Sequence, residues 1–235
     1  MKSIFIIIVL VCAAAGARAD LVMQQQITVT TNSSVAIIKI KGSKVRLDMY
    51  AGQPQAISRI TDLNSGAIII LLQNQKMFVK TSGGTTKSTQ PAGNDTTLTA
   101  KPPLPRPTGK IQKVGNYDTE LYTWSNSRGI IGTAWVAKNF PDYARIKTDL
   151  AILDKSLGGV NNDMNPALST LPGMVVRSQV TGSGQAITVT LISAKEEPID
   201  ASLFQIPAGF KELPQAKPFV RQAPKITPGK TTTGK

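Results

Sequence analysis

The amino-acid sequence predicts a mainly β protein with one substantial helix, in which a curved antiparallel sheet carries the helix packed against its concave face. Short segments with an apolar residue at every second position recur along most of the chain, separated by turn residues. One stretch instead repeats its apolar residues at steps of three and four, which is typical of a helix with one buried stripe. The turn signals separate about ten strands, which suits a strongly curved sheet or partial barrel.

The beginning of the sequence has the pattern of a signal peptide at residues 1–19. Met1-Lys2 is basic, Ile4–Ala15 is almost wholly apolar, and Ala17-Arg18-Ala19 places small residues at the cleavage positions. The apolar run is too short to span a membrane comfortably. Cleavage after Ala19 predicts a periplasmic or secreted protein. The one cysteine, Cys12, lies in this leader, so the exported chain has no thiol for a disulfide.

Strands in the first half are predicted from apolar segments bounded by Gly, Asn, Asp and Ser. The segment Lys44–Met49 alternates apolar and polar residues, as a half-buried strand does. The segment Ala67–Leu72 is apolar at every position, so both of its faces should be covered. The predicted strands are Gln26–Thr31, Val35–Lys41, Lys44–Met49, Ala67–Leu72 and Lys76–Lys80, with turns at Asn32-Ser33-Ser34 and Asp62–Gly66.

A Pro- and Thr-rich stretch at about residues 81–110 predicts an exposed loop. Its segment Lys101–Pro107 has repeated prolines, which lack the N–H donors of a strand ladder. Neither flank is apolar enough to close a core alone, so the loop belongs to a single domain of residues 20–213. Residues 214–235 are basic and rich in proline, and we expect them to be a disordered tail.

The second half is predicted to hold the helix and four more strands. Tyr143, Ile146, Leu150, Leu153 and Leu157 form its apolar stripe. The expected helix start lies at Asn139–Asp142, where Asn139 can cap and Pro141 fits the first turn, and the expected end lies at Gly158-Gly159. The predicted strands are Tyr117–Ser125, Ile130–Ala137, Met174–Thr181 and Ala186–Ala194, the last two forming a hairpin around Gly182-Ser183-Gly184.

Composition restricts the chemistry. The sequence has no histidine and no cysteine outside the leader, which removes most nucleophiles, general bases and soft-metal ligands. We therefore predict no catalytic residues, no metal, no cofactor and no enzymatic activity. The polar groups that remain are better read as exposed pairs or loop residues: Ser193 with Lys195, Asp118 with Glu120, Glu196-Glu197 and Asn161-Asn162-Asp163.

The net charge of +13 favours anionic partners. Nucleic acid is not expected, because Trp124 and Trp135 lack the basic neighbours of a nucleic-acid surface and are better placed in the core. Part of the charge lies in the tail, which carries five Lys or Arg residues and no acid. The tail could contact an anionic membrane surface, or could simply be solvated.

Several motifs resemble an exported bacterial domain family of unknown function. The matching residues are Lys44–Met49, Ile60–Leu63, Gln75–Met77, Trp135–Lys138, Leu171–Val176 and the closing Pro198–Phe210, with its Phe-x-Ile-Pro-x-Gly-Phe. That family is similar in fold to the periplasmic lipoprotein carriers of the LolA/LolB-like superfamily. The resemblance implies a half-open β-barrel with a helical lid over an apolar cavity. It supplies no binding residue to carry over.

Together these observations favour a non-enzymatic exported protein that binds an apolar ligand, such as a lipid, a lipoprotein or another acylated protein, in a β-lined cavity. The alternative is an envelope interaction module with a solid core and a basic tail that contacts anionic surfaces. A hydrolase with an unusual site is a third hypothesis. The residues predicted to line the cavity are Leu47, Met49, Ile68, Ile70, Leu72, Met77, Ile146, Leu150, Val189 and Leu191.

Overall fold

The strand-forming segments pair into one long sheet. The computed structural model describes residues 20–81, 103–126, 129–157, 166–182 and 185–213. Within these ranges there is one α-helix, α1 (Tyr143–Leu157). The strands there are β1 (Asp20–Val29), β2 (Asn32–Lys41), β3 (Lys44–Met49), β4 (Ile57–Asp62), β5 (Ala67–Leu72), β6 (Met77–Thr81), β7 (Arg106–Val114), β8 (Tyr117–Ser125), β9 (Ile131–Ala137), β10 (Met174–Gly182), β11 (Gln185–Glu197) and β12 (Lys211–Glu212).

Two meanders make up the sheet, whose strand order is β12-β6-β5-β4-β3-β2-β1-β11-β10-β9-β8-β7. One runs from β1 to β6 and the other from β7 to β11, and the pairing of β1 with β11 joins them. The recorded pairings are antiparallel except that β12 runs parallel to β6. The sheet is not closed, because β12 and β7 each have a single neighbour. The predicted fold class, mainly antiparallel β with one helix, is confirmed.

The sheet curves around α1. Ile146, Leu150 and Leu153 of the helix are each 2% exposed and share one core cluster with Val45 of β3 and Trp135 of β9. These two strands are five positions apart in the sheet, which would be about 24 Å if the sheet were flat. A helix is only about 10 Å wide, so one helix can reach both strands only if the sheet bends around it. Burial of its three side chains stabilises this arrangement by about 2 kcal/mol each.

A second cluster lies on the other face of β4 and β5. Ile60 and Leu71 pack there with Ile199 and Phe204 of the C-terminal segment, and all four are 7% exposed or less. The segment then pairs along β6 as β12. We call this side of β1–β6 the outer face and the opposite side, where α1 packs on β2 and β3, the inner face.

Several predicted boundaries are wrong, and three of them have a clear physical reason. β7 begins at Arg106, inside the predicted loop, and Pro107 is tolerated because an edge strand has one side without ladder bonds. The first hairpin turns at Thr30-Thr31, where Thr30 has φ of 56°, while the predicted turn at Asn32 belongs to β2. The helix starts at Tyr143, later than predicted, because Asp142 takes a φ of 54° outside the helical region.

Other predictions fall on parts of the chain outside the described residues. They are the signal peptide at residues 1–19, most of the loop at residues 82–102, the helix end at Gly158-Gly159, the loop residues Asn161-Asn162-Asp163 and the tail at residues 214–235. About ten strands were predicted and the described ranges contain twelve, because β4, β7 and β12 were not among the predicted strands.

Candidate functional site

The inner face of β3–β6 carries aliphatic side chains in rows. Residues directly opposite each other in antiparallel strands share a face. The register therefore sets Leu47, Arg59, Ile70 and Val79 in one row across the four strands. The adjoining row contains Met49, Ile57, Leu72 and Met77. All eight side chains are half-buried. We call these two rows, with Ile68 beside them, the apolar face.

The ten residues predicted to line a cavity divide into two groups. Eight are half-buried on the inner face: Leu47, Met49, Ile68, Ile70, Leu72 and Met77 on the apolar face, and Val189 and Leu191 on β11. Ile146 and Leu150 are different, because each is 2% exposed and packed between α1 and the sheet. These two residues belong to the solid core and are not part of the half-buried apolar face.

Three residues of the apolar face were not predicted from the sequence. Ile57 and Val79 lie in strands whose apolar residues are interrupted by polar ones, so their face could not be assigned without the register. Arg59 was missed because a lone cation in a strand ordinarily indicates a solvent-facing position. No signal in the sequence separates it from the other basic residues.

Arg59 lies inside the apolar row, opposite Leu47 on one side and Ile70 on the other. It donates a hydrogen bond from Nη2 to the carbonyl oxygen of Ser156, in the last turn of α1, at 2.9 Å. Burial lowers the pKa of this guanidinium from its ordinary value. Arginine titrates so far above neutrality that the side chain is still charged at physiological pH. A cation is therefore fixed at the boundary between α1 and the apolar face.

A polar cluster occupies the outer face of β2–β4. Lys39 Nζ and Arg46 Nε each donate to the carboxylate of Asp48 at 2.7 Å. Burial alone would raise the pKa of Asp48, but hydrogen bonds from Lys39, Ser58 and Arg46 and the charge of Arg46 outweigh it and hold the pKa below its ordinary value. Arg46 also donates to Ser58 Oγ at 3.1 Å and to the Leu203 carbonyl at 2.6 Å.

A groove of about 580 Å³ opens beside this cluster. Arg46, Asp48 and Ser58 form part of its wall, together with Gln73, whose amide donates to Ser58 Oγ at 2.7 Å. Each of these polar groups is already bonded to another, so the cluster holds the strands and the C-terminal segment together rather than offering free donors to a ligand.

Two of the carboxylates considered for acid–base chemistry, Glu120 and Glu196, are paired with cations. Glu120 lies 2.7 Å from Lys138 Nζ and accepts a hydrogen bond from Tyr122 at 3.0 Å, and these contacts hold the pKa of Glu120 below its ordinary value. Glu196 pairs with Arg145 of α1. Within the described ranges, no group of three or more acidic side chains is arranged to hold a metal ion. The same ranges contain no helix with the length and apolarity to cross a membrane.

Solved structures match the chain at low sequence identity, and one of them, with a TM-score above 0.5, shares its fold. An uncharacterized conserved protein from Thermus thermophilus matches with a TM-score of 0.51 and 6% identity, over 84% of this chain and 91% of that chain. A LolA superfamily protein from Nitrosomonas europaea matches with a TM-score of 0.35 and 7% identity, over 80% and 91%. PNGF-II matches with a TM-score of 0.39 and 15% identity, over 83% of this chain but only 30% of PNGF-II, so the chain spans about a third of that protein.

No curated protein is significantly similar to the chain in sequence. One family model does match, over residues 21–210, which is most of the chain and nearly all of the predicted domain. The resemblance to a domain family of unknown function, predicted from short motifs, is confirmed by this match. The chain belongs to the family described as Domain of unknown function (DUF4412).

Proposed function

We propose that the protein is exported and binds an apolar ligand, a lipid or the acyl chain of a lipoprotein, on the apolar face without converting it chemically. The observation that carries this proposal is the unequal covering of the two sides of one set of strands. On the outer face Leu71 is 0% exposed beneath the C-terminal segment. On the inner face its neighbour Ile70 is only half-buried.

Burial also changes along β3, in the direction away from the helix. Val45 is 3% exposed under α1, whereas Leu47 and Met49 on the same face are half-buried. The helix thus covers one end of the inner face and leaves the rows beyond it partly open. Contiguous apolar surface that stays partly open in the folded protein is a common property of ligand-binding sites.

The size of the apolar face suits an alkyl chain. Its rows cross four strands, which corresponds to a width of about 14 Å. That width is comparable with an extended dodecyl chain.

Export is supported by the leader pattern of residues 1–19, and N-terminal sequencing of the exported protein should begin at Asp20.

Binding can be tested with Nile red and with 1-dodecanol as a competitor. We expect Nile red fluorescence to rise with the wild-type protein and to fall as 1-dodecanol displaces the dye. The double variant Ile70→Gln/Leu72→Gln should weaken both effects at least tenfold, because each glutamine would have to lose water beneath the ligand. Ile111→Gln is the matched control, since Ile111 is 70% exposed on the edge strand β7.

The proposal fails if neither Nile red nor 1-dodecanol binds the folded wild-type protein. It also fails if the double variant and the Ile111 control bind equally well. Native mass spectrometry of protein purified from its host offers a second measurement, in which a co-purifying lipid should add mass to the wild-type protein and less often to the double variant.

A further inference from the structure

Arg59 is a cation whose charge is not matched by any nearby acid in the described parts of the chain. Three basic residues of the neighbouring strands β2 and β3 are paired with acids: Lys39 and Arg46 with Asp48, and Lys41 with Asp20. The recorded bond of Arg59 goes instead to a neutral carbonyl, that of Ser156. Burial is the one cause that displaces its pKa, so no charged neighbour acts on it appreciably.

The guanidinium has donors left over. It has five N–H groups, and the bond to Ser156 uses one of them. Each of its remaining nitrogens either contacts solvent or has a hydrogen-bond partner. The described ranges hold no second hydrogen-bond partner for these nitrogens, so they contact solvent and can donate to a ligand that enters from it. The C-terminal end of α1 contributes only about half a negative charge, which leaves the site positive.

We infer that Arg59 binds the anionic head group of a single-chain amphiphile whose alkyl chain lies on the apolar face. This inference rests on the proposed function and specifies its ligand class. A carboxylate or phosphate oxygen matches the planar fork of donors that the guanidinium presents. Leu47 and Ile70 are the partners of Arg59 in the two neighbouring strands, so an anion bonded to the guanidinium lies beside the aliphatic rows of the apolar face.

A cation beside an apolar surface favours an anionic amphiphile over a neutral lipid and over a small anion. A neutral lipid would bury apolar surface but would leave the Arg59 charge partly desolvated and unpaired, which is costly. A small anion such as acetate or phosphate would meet one charge but could not use the apolar rows. Only a ligand with both an anionic head group and an alkyl chain can pair with Arg59 and also cover the apolar rows.

The test compares dodecanoate with 1-dodecanol, which have the same chain length and differ in charge, by isothermal titration at about pH 8, where the carboxylate is ionised. Wild-type protein should bind dodecanoate at least about tenfold more tightly, as expected for a charge-assisted hydrogen bond. Acetate and inorganic phosphate alone should not bind measurably. Arg59→Met should lose the preference for dodecanoate while it still binds 1-dodecanol.

Two controls separate head-group binding from other effects. Arg106→Met removes an exposed arginine from the edge strand β7 and should leave the preference intact. Arg59→Lys keeps the charge but not the fork of donors, and should retain a reduced preference.

The inference is overturned if wild-type protein binds both amphiphiles within twofold, a result that needs no variant to fold. It is also overturned if Arg59→Met keeps the full preference. Absence of binding by both amphiphiles would instead refute the proposed function, and binding of acetate or phosphate alone would reassign the site to a small anion.

Discussion

Ile70 and Leu71 are neighbours in β5 that point to opposite faces, so alanine at each position gives a controlled test of which face is packed. Leu71→Ala removes three carbons from a fully buried side chain. At about 0.8 kcal/mol per buried CH₂, the transfer loss is about 2.4 kcal/mol. The cavity left among Ile60, Ile199 and Phe204 raises the total to about 3–4 kcal/mol.

Ile70→Ala should cost much less. Its side chain is half-buried, so about half of the transfer free energy is lost, and no enclosed cavity forms. We expect a loss of about 1 kcal/mol. The assay is urea denaturation with linear extrapolation, supported by melting temperatures that should fall by about 6–16 °C for Leu71→Ala and about 2–4 °C for Ile70→Ala.

Added ligand extends the comparison. Saturating 1-dodecanol should raise the melting temperature of wild-type protein and of Leu71→Ala by similar amounts, because ligand stabilises the folded state by mass action. The rise should be smaller for Ile70→Ala, which has lost part of the apolar face. Equal stability losses from the two alanine variants, or a larger loss from Ile70→Ala, would refute the assignment of packed and open faces.

The remaining predictions concern the polar cluster and a close approach in the sheet. Asp48→Ala should cost about 3–5 kcal/mol in urea unfolding, because Lys39 and Arg46 lose their shared partner; a loss below about 1 kcal/mol would contradict this. Since the folded state lowers the pKa of Asp48, its contribution to stability is present above its ordinary pKa of 3.8 and is lost as the pH falls below it. Asp48→Asn should accordingly flatten the stability profile below about pH 4, and an unchanged slope would count against the cluster. Gly132→Ala should destabilise by several kcal/mol, because the new Cβ would collide with the Trp124 ring that lies across it, and Trp124→Leu should partly restore the loss.

Local patterns were enough to predict several elements. The alternation of Lys44–Met49 gives β3 with its bounds, and the stripe of α1 identifies the helix and its buried side. The placement of Trp124 and Trp135 in the core is confirmed, since they are 5% and 9% exposed. In each case the prediction depends on the spacing of apolar residues within one helix or strand, which can be read directly from the sequence.

Long-range packing decides what the sequence could not reveal. Ile69 and Ile70 are the same residue type in an all-apolar strand, so the sequence does not show which face each one occupies. Ile69 packs on the outer cluster because the C-terminal segment, about 130 residues later, covers that face. Ile146 and Leu150 were assigned to the cavity because an apolar stripe predicts burial but not whether its partner is protein or ligand. Arg59 gained its role only when the register placed it between Leu47 and Ile70.

The pairing of β1 with β11 has a consequence for how the protein folds. Each meander can form from neighbouring strands, but this pairing brings together the beginning and the end of the domain. The bond from the Ile199 amide to the Asp20 carboxylate, for example, joins residues 179 positions apart. Closing so long a loop is entropically slow, so we expect the meanders to form early and this joint to form last. A chain still emerging from a ribosome or a membrane pore would lack β11, and could not complete its sheet until nearly all of the domain had passed through.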